Sequence, residues 1–192
     1  MPLVLAAPAA AEPLSLAEAK SHLRVDGSDE DALISDLIAT ATLHVERDLG
    51  IALITQGWKF LRDAWPPNWF TEIPLAPLQS VDSVTVYDAD DAAQVFSADH
   101  WFADLASSPP RVVLRGSAPW PVPGRRANGV EIALTAGFGL SAADVPQPLR
   151  HALLLLVAHW YERREPVLVG EPPHPLPGSI AALLAPYRRV RL

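Results

Sequence analysis

The stretch from Pro148 to Gly170, PLRHALLLLVAHWYERREPVLVG, sets the terms for everything else in the chain. Wound as a helix, Leu149, Ala152, Leu153, Leu154, Leu155, Leu156, Val157 and Ala158 give an apolar surface most of the way round, and Trp160 and Tyr161 extend it. A helix apolar on all sides is one buried on all sides. Asp144 is placed to cap its start, and Pro146 and Pro148 are tolerated there because first-turn N–H groups lack intrahelical partners. Arg163 and Arg164 fall at the carboxyl end, where the helix dipole favours cations, and Pro166 stops it. The spacing predicts a helix from about Val145 to Arg164, roughly 30 Å long at 1.5 Å per residue, with the other elements packed against it. Leu149, Leu153, Leu156 and Trp160 are its candidate core residues. Its apolar run, Ala152 to Ala158, falls far short of the ~20 residues a membrane span needs.

Upstream, Ser15-Leu16-Ala17-Glu18 is a capping box that opens a short helix ending near Val25, and Asp26-Gly27 turns the chain. Ser28 is the expected cap of a second helix, with Asp29, Glu30 and Asp31 in its positive first turn. Ile34, Leu37, Ile38, Ala41, Val45 and Leu49 recur at three- and four-residue steps and form one core-facing stripe. Gly50 is the left-handed stop. Ahead of these helices, MPLVLAAPAAA superficially resembles a secretion signal, but no Lys or Arg precedes it and Pro2 and Pro8 interrupt it. Residues 1–13 are therefore expected to be a mobile or partner-ordered arm.

After Gly50 the period changes. Ile54–Asp63, Val81–Tyr87, Arg111–Leu114 and Val130–Thr135 are short, rich in β-branched or aromatic residues, and alternate polar with apolar. They read as antiparallel strands with one wet face. Asp88-Ala89-Asp90-Asp91 is a polar turn, and prolines at 66–67, 74, 77, 109–110 and 119–123 punctuate the rest. The fold class is α+β: a mainly helical core of two N-terminal helices, one long buried helix and one short C-terminal helix, capped by Ser179, carrying Ile180, Leu183 and Leu184 and stopped by Pro186, with an antiparallel β-rich insertion over residues 51–144. A proline-rich loop, Gly170–Gly178, precedes the last helix.

Chemistry is sparse. The 49% hydrophobic content supports a true core. A net charge of −7 argues against a surface that coats nucleic acid. With no cysteine there are no disulfides, thiolate metal sites or cysteine nucleophiles. His159 and Glu162, three apart on a helix with His151 two turns back, could share a metal, but no second Glu-x-x-His or His-Glu-x-x-His accompanies them. Gly137-Phe138-Gly139 lacks the third glycine of a dinucleotide loop. Ser107, Ser108 and Ser117 have no Gly-x-Ser-x-Gly setting, and Asp88, Asp90 and Asp91 lack the glycine and terminal Glu of a calcium loop. Trp58, Trp65, Trp69, Trp101, Trp120 and Trp160 could stack on bases or sugars, yet without a basic groove packing is the simpler role. The residues point to a non-enzymatic domain with no catalytic residue, metal or cofactor. The alternatives are a small metal-dependent hydrolase built on His151, His159 and Glu162, or a tryptophan-lined ligand-binding module.

The ordered set LSLAEAKSHLRVDGSDEDALI, LITQGWKF, IPLAPLQSVDSV, TAGFG, VPQPLRHALLLLVAHWYERRE and LLAPYR, running from about Leu14 to Arg188, resembles the phage head–tail connector (head-completion adaptor) family, in particular its prophage and gene-transfer-agent branch. The excess of Arg over Lys, 13 to 2, suits such an element in a GC-rich bacterium. The resemblance implies a connector domain over residues 14–185 and a homo-oligomeric, dodecameric ring under the portal protein. That ring would extend the channel for transient, non-specific passage of double-stranded DNA and dock the next tail component, a stopper or tail terminator. It implies no catalysis, cofactor or membrane, and a place in the neck of a virion or gene-transfer-agent particle assembled in the host cytoplasm. It offers no invariant site to carry over.

Charge is unevenly spread: residues 1–50 carry net −6, residues 51–145 net −4, and residues 146–192 net +3. The tail at 186–192 is basic and alternating, with Val190 and Leu192 on one side and Arg189 and Arg191 on the other, as in a strand added to a partner. Tyr187, Arg188, Arg189, Val190, Arg191 and Leu192 are accordingly the candidate portal-binding residues, the arginines pairing with acidic groups of the portal.

Overall fold

The computed structural model describes residues 2–163 and 178–188. Contacts divide the chain into two compact units, one comprising Met1–Ala10 with Thr55–Gly137, the other Ala11–Ile54 with Phe138–Leu192.

The second unit is helical. The Ser15 box opens α1 (Leu16–Leu23): Ser15 N–H donates to the Glu18 carboxylate at 3.0 Å, and Glu18 N–H to Ser15 Oγ at 3.2 Å. The same carboxylate accepts from the Arg150 guanidinium of α3, tying the start of one helix to another. These partners, the Ser15 hydroxyl foremost, hold the Glu18 carboxyl below its usual range. Helix α2 (Asp31–Leu49) starts later than expected. Ser28 is not its cap; Glu30 precedes the first turn and no side chain caps it. Gly50 does close it in the left-handed conformation, φ 65°, its N–H donating to the Glu46 carbonyl. Ile34, Ile38, Ala41, Val45 and Leu49 are buried, as one stripe at helical spacing requires, whereas Leu37 is only half-buried at its margin.

Helix α3 (Gln147–Glu162) carries the apolar run and packs against α1, α2 and α4 (Gly178–Leu184). Leu149, Ala152, Leu153, Leu156 and Val157 are buried. Leu154, Leu155 and Trp160 are half-buried, so the helix is not enclosed all round; Trp160 lies edge-on to the His44 ring at 5.7 Å. Asp144 does not cap α3. Its carboxylate instead accepts from Ser141 N–H and Oγ, each at 2.9 Å, in a separate turn of 3₁₀ helix. Pro146 occupies the position before α3 and supplies no side-chain cap. Arg164, the Pro166 stop and all of the proline-rich loop before Gly178 lie outside the described residues.

The first unit is built of strands, with one turn of 3₁₀ helix at Ala98–His100. Strands β1 (Leu3–Ala7), β2 (Gln56–Arg62), β4 (Leu78–Tyr87), β5 (Ala93–Val95) and β8 (Val130–Ala136) form an antiparallel sheet in the order β1-β2-β8-β4-β5, while β3 (Phe70–Glu72), β7 (Arg111–Leu114) and β6 (Trp101–Asp104) form a second in the order β3-β7-β6. Register sorts the faces of the larger sheet. Phe60 lies opposite Ile132, which lies opposite Val84, and all three are buried. On the other face Lys59 Nζ pairs with Glu131 at 2.9 Å, Tyr87 OH donates to Glu131 at 3.2 Å, and Thr135 Oγ1 donates to Asp82 at 2.9 Å. The expected alternation with one wet face is present.

The mixed α+β class stands, but a mainly helical core does not describe it. The helices form one of two compact units, and the β unit buries residues of its own, Ile73, Leu75, Val112 and Val113 among them. Within the segment expected to be a mobile or partner-ordered arm, Leu3–Ala7 forms a strand. Its apolar run pairs with β2, Leu3 opposite Phe60 and Leu5 opposite Trp58, because an extended segment without charge can complete a sheet edge.

The proline-rich segment after β7 has no regular structure but is closely held. Trp65 and Trp120 stack at 4.0 Å; Trp65 Nε1 donates to the Pro121 carbonyl at 2.8 Å and Trp120 Nε1 to the Asn68 carbonyl at 2.9 Å. Gly124 N–H donates to the Tyr87 carbonyl at 2.9 Å, and a Cβ on Gly124 would lie 2.3 Å from Ala89 N. Arg125 lies over the Tyr87 ring and pairs with Asp91 at 3.1 Å.

Candidate docking surfaces

The predicted portal anchor divides at Arg188. Tyr187 ends a 3₁₀ turn that follows α4 directly; its ring meets Phe138 edge-on at 6.5 Å. Arg188 reaches back to Asp48 at 3.0 Å in an exposed pair. These two residues belong to the helical unit and form the root of the tail, Tyr187 half-buried and Arg188 exposed. Arg189, Val190, Arg191 and Leu192 lie outside the described residues.

Two surfaces that sequence reasoning missed are the ends of the large sheet. Strand β1 exposes Val4 (44%) and Leu5 (46%), and β5 exposes all three of its residues, Val95 to 74%. Leu3–Ala7 carried a usable signal, an uncharged apolar run bounded by Pro2 and Pro8. Ala93–Val95 is too short to have shown one.

The outer face of the small sheet is a third surface. Phe70 and Phe102 flank Val113 across the register, with Arg111 over the Phe70 ring at 5.0 Å and Arg115 over Phe102 at 5.3 Å. Arg111 also pairs with Asp104 at 2.8 Å. Hydrogen bonds from the Ser107 hydroxyl, then from Arg111, hold the Asp104 carboxyl at about 2, below its ordinary 3.8. A depressed carboxyl stabilises the fold above its unfolded pKa and loses that contribution as pH falls through the folded value. Asp104→Asn should therefore lower the urea midpoint at neutral pH, and the gap to the unchanged protein should close as pH falls from about 4 to about 2. A gap constant across that range would show that the carboxylate has no such role.

The residues of the metal alternative do not gather: among the described residues no three His, Asp or Glu side chains are placed to hold a metal ion. The indoles of Trp65, Trp101 and Trp120 donate to main-chain carbonyls within the β unit. Among the described residues no helix is long and apolar enough to cross a membrane.

Residues 13–94 match the family model of the phage gp6-like head–tail connector protein. Over its whole length the chain is similar to a chain in the neck of an empty gene transfer agent (GTA) particle computed with C6 symmetry, at 30% identity and a TM-score of 0.84, covering 100% of this chain and 97% of that one. The chain belongs to the gp6-like head–tail connector family. This connector is similarly close to a chain of the virion of a native GTA particle, at 29% identity and a TM-score of 0.82. It is also similar to one from the neck of a native GTA particle computed with C12 symmetry, at 28% and 0.81; both cover 100% of this chain and 97% of the other. No curated protein matches it. The connector is a structural adaptor subunit, not an enzyme, and the hydrolase alternative finds no support.

Proposed function

We propose that this connector forms a dodecameric ring in the neck of a tailed-phage or gene-transfer-agent particle, assembled in the host cytoplasm. The ring sits under the portal, continues the DNA channel and docks the next tail component, a stopper or tail terminator. The observation carrying this reading is end-to-end similarity to chains of GTA necks computed with sixfold and twelvefold symmetry. The charge of the chain suits the role, because at net −7 a ring lining repels DNA in transit and does not hold it. Tyr187 to Leu192 serve as the portal anchor, a reading supported by the alternation of basic and apolar residues in the sequence that follows α4. Electron cryomicroscopy of particles carrying a tagged connector tests the reading. Twelve copies should lie between portal and tail. Particles that lack the chain, or that carry it away from the neck, would refute the assignment.

A further inference from the structure

We infer that neighbouring copies of this connector join through their large sheets, the outer edge of β1 in one copy lying against β5 of the next. The inference rests on the ring reading above and names the contact that would close the ring. A subunit in a ring must present two different surfaces that fit each other. The five-stranded sheet ends in two different strands, β1 and β5, and an edge strand turns a row of main-chain donors and acceptors outward.

The geometry of β1 fixes which groups these are. The Pro2 carbonyl accepts from Leu61 N–H at 3.1 Å. Hydrogen-bonded pairs alternate along an antiparallel ladder, so the main-chain groups of Leu3 and Leu5 face away from β2. The register shift between Leu5 and Ala7 confines a regular pairing to the residues before it.

Edges that must stay solitary usually carry charge. The small sheet follows that rule, with Glu72 on its β3 edge and Asp104 on its β6 edge. Leu3–Ala7 and Ala93–Val95 carry no charged residue at all. Both edges are uncharged and, among the described residues, end the sheet, and a second copy supplies the partner of each. Val4 pairs with Lys59 and Val95 with Thr85, so both exposed valines stand on the wet face of the sheet and would meet on one side of the seam. Four antiparallel steps separate β1 from β5, so the two run in the same direction. Adjacent copies in a many-membered ring are nearly co-oriented, which makes the new pairing parallel.

Cysteine pairing in assembled particles tests the seam. The chain has no cysteine, so any disulfide comes from introduced residues. Each of Leu3→Cys, Val4→Cys and Leu5→Cys is combined with each of Ala93→Cys, Gln94→Cys and Val95→Cys, which covers the possible registers. Mild oxidation of particles should convert the connector into a ladder of covalent oligomers for at least one combination, and leave every single variant monomeric. Particles that contain the doubly substituted connector yet yield no ladder in any combination overturn the seam while leaving the ring intact. Should the substituted chains fail to enter particles, the neck map of the unchanged particle decides. Backbone density of β5 running beside the neighbour's β1 upholds the inference, and a β1 edge facing solvent, portal or tail protein overturns it. Unchanged particles without a ring of this chain would refute the underlying reading instead.

Discussion

Deletion of Arg189 to Leu192 should abolish the joining of this connector to portal-bearing heads while leaving its melting temperature nearly unchanged. The two halves of that expectation have separate causes. Stability should hold because Tyr187, against Phe138, and Arg188, paired with Asp48, both remain after the deletion. The exposed Arg188–Asp48 pair is itself worth about 0–1 kcal/mol. Joining should fail because the deletion removes two of the arginines proposed to pair with acidic groups of the portal and the two apolar residues that alternate with them in sequence. Electron micrographs would then show DNA-filled heads without tails. Truncated connector that joins heads normally would remove the anchor role from these residues. A Tyr187→Ala variant should do the opposite, lowering the melting temperature through its lost ring contact while leaving residues 189–192 in place.

Leu153→Ala and Leu156→Ala should each cost about 2–5 kcal/mol, the usual range for truncating a buried leucine. The two side chains are 1% and 0% exposed in the helix that contacts the other three. A loss of that size approaches the whole stability of a typical domain. Asp90→Ala in the turn between β4 and β5 should change stability by less than about 0.5 kcal/mol, since Asp90 is exposed and the turn is held by Asp88, whose carboxylate accepts from the N–H groups of Asp90 and Ala92. Urea unfolding of the three variants checks this. Equal midpoint shifts for the leucine and aspartate variants would show that α3 is not the centre of the helical unit.

The legible parts of this fold were those where one physical signal acted alone. The Ser15–Glu18 box, the stripe from Ile34 to Leu49 and the Gly50 stop are local chemistry, and each lies where its spacing places it. Strands such as Arg111–Leu114 declared themselves through β-branched alternation. Caps were less legible because several polar residues compete for each one. Ser28 and Asp144 both have suitable side chains, yet α2 starts after Glu30 and α3 after Pro146. Leu3–Ala7 was obscured by its own composition, since an apolar run rich in alanine is compatible with a signal segment, an arm or a strand until a partner strand is seen. Strands of three residues, β3 and β5, fall below the length at which alternation can be recognised. The docking surfaces were the least legible of all, because an edge is defined by what does not pair with it.

The contact at Gly124 has a consequence for how this chain can change over time. The turn between β4 and β5 and the segment from Pro119 to Gly129 are far apart in sequence, yet Gly124 has no room for a side chain against Ala89, and Arg125 binds Asp91 across the same gap. Lengthening the turn would drive it into the segment, and lengthening the segment would lift Arg125 off Tyr87. An insertion at either place should therefore call for a change at the other, and an epitope grafted into the one that looks like a free loop would be felt in the hairpin opposite.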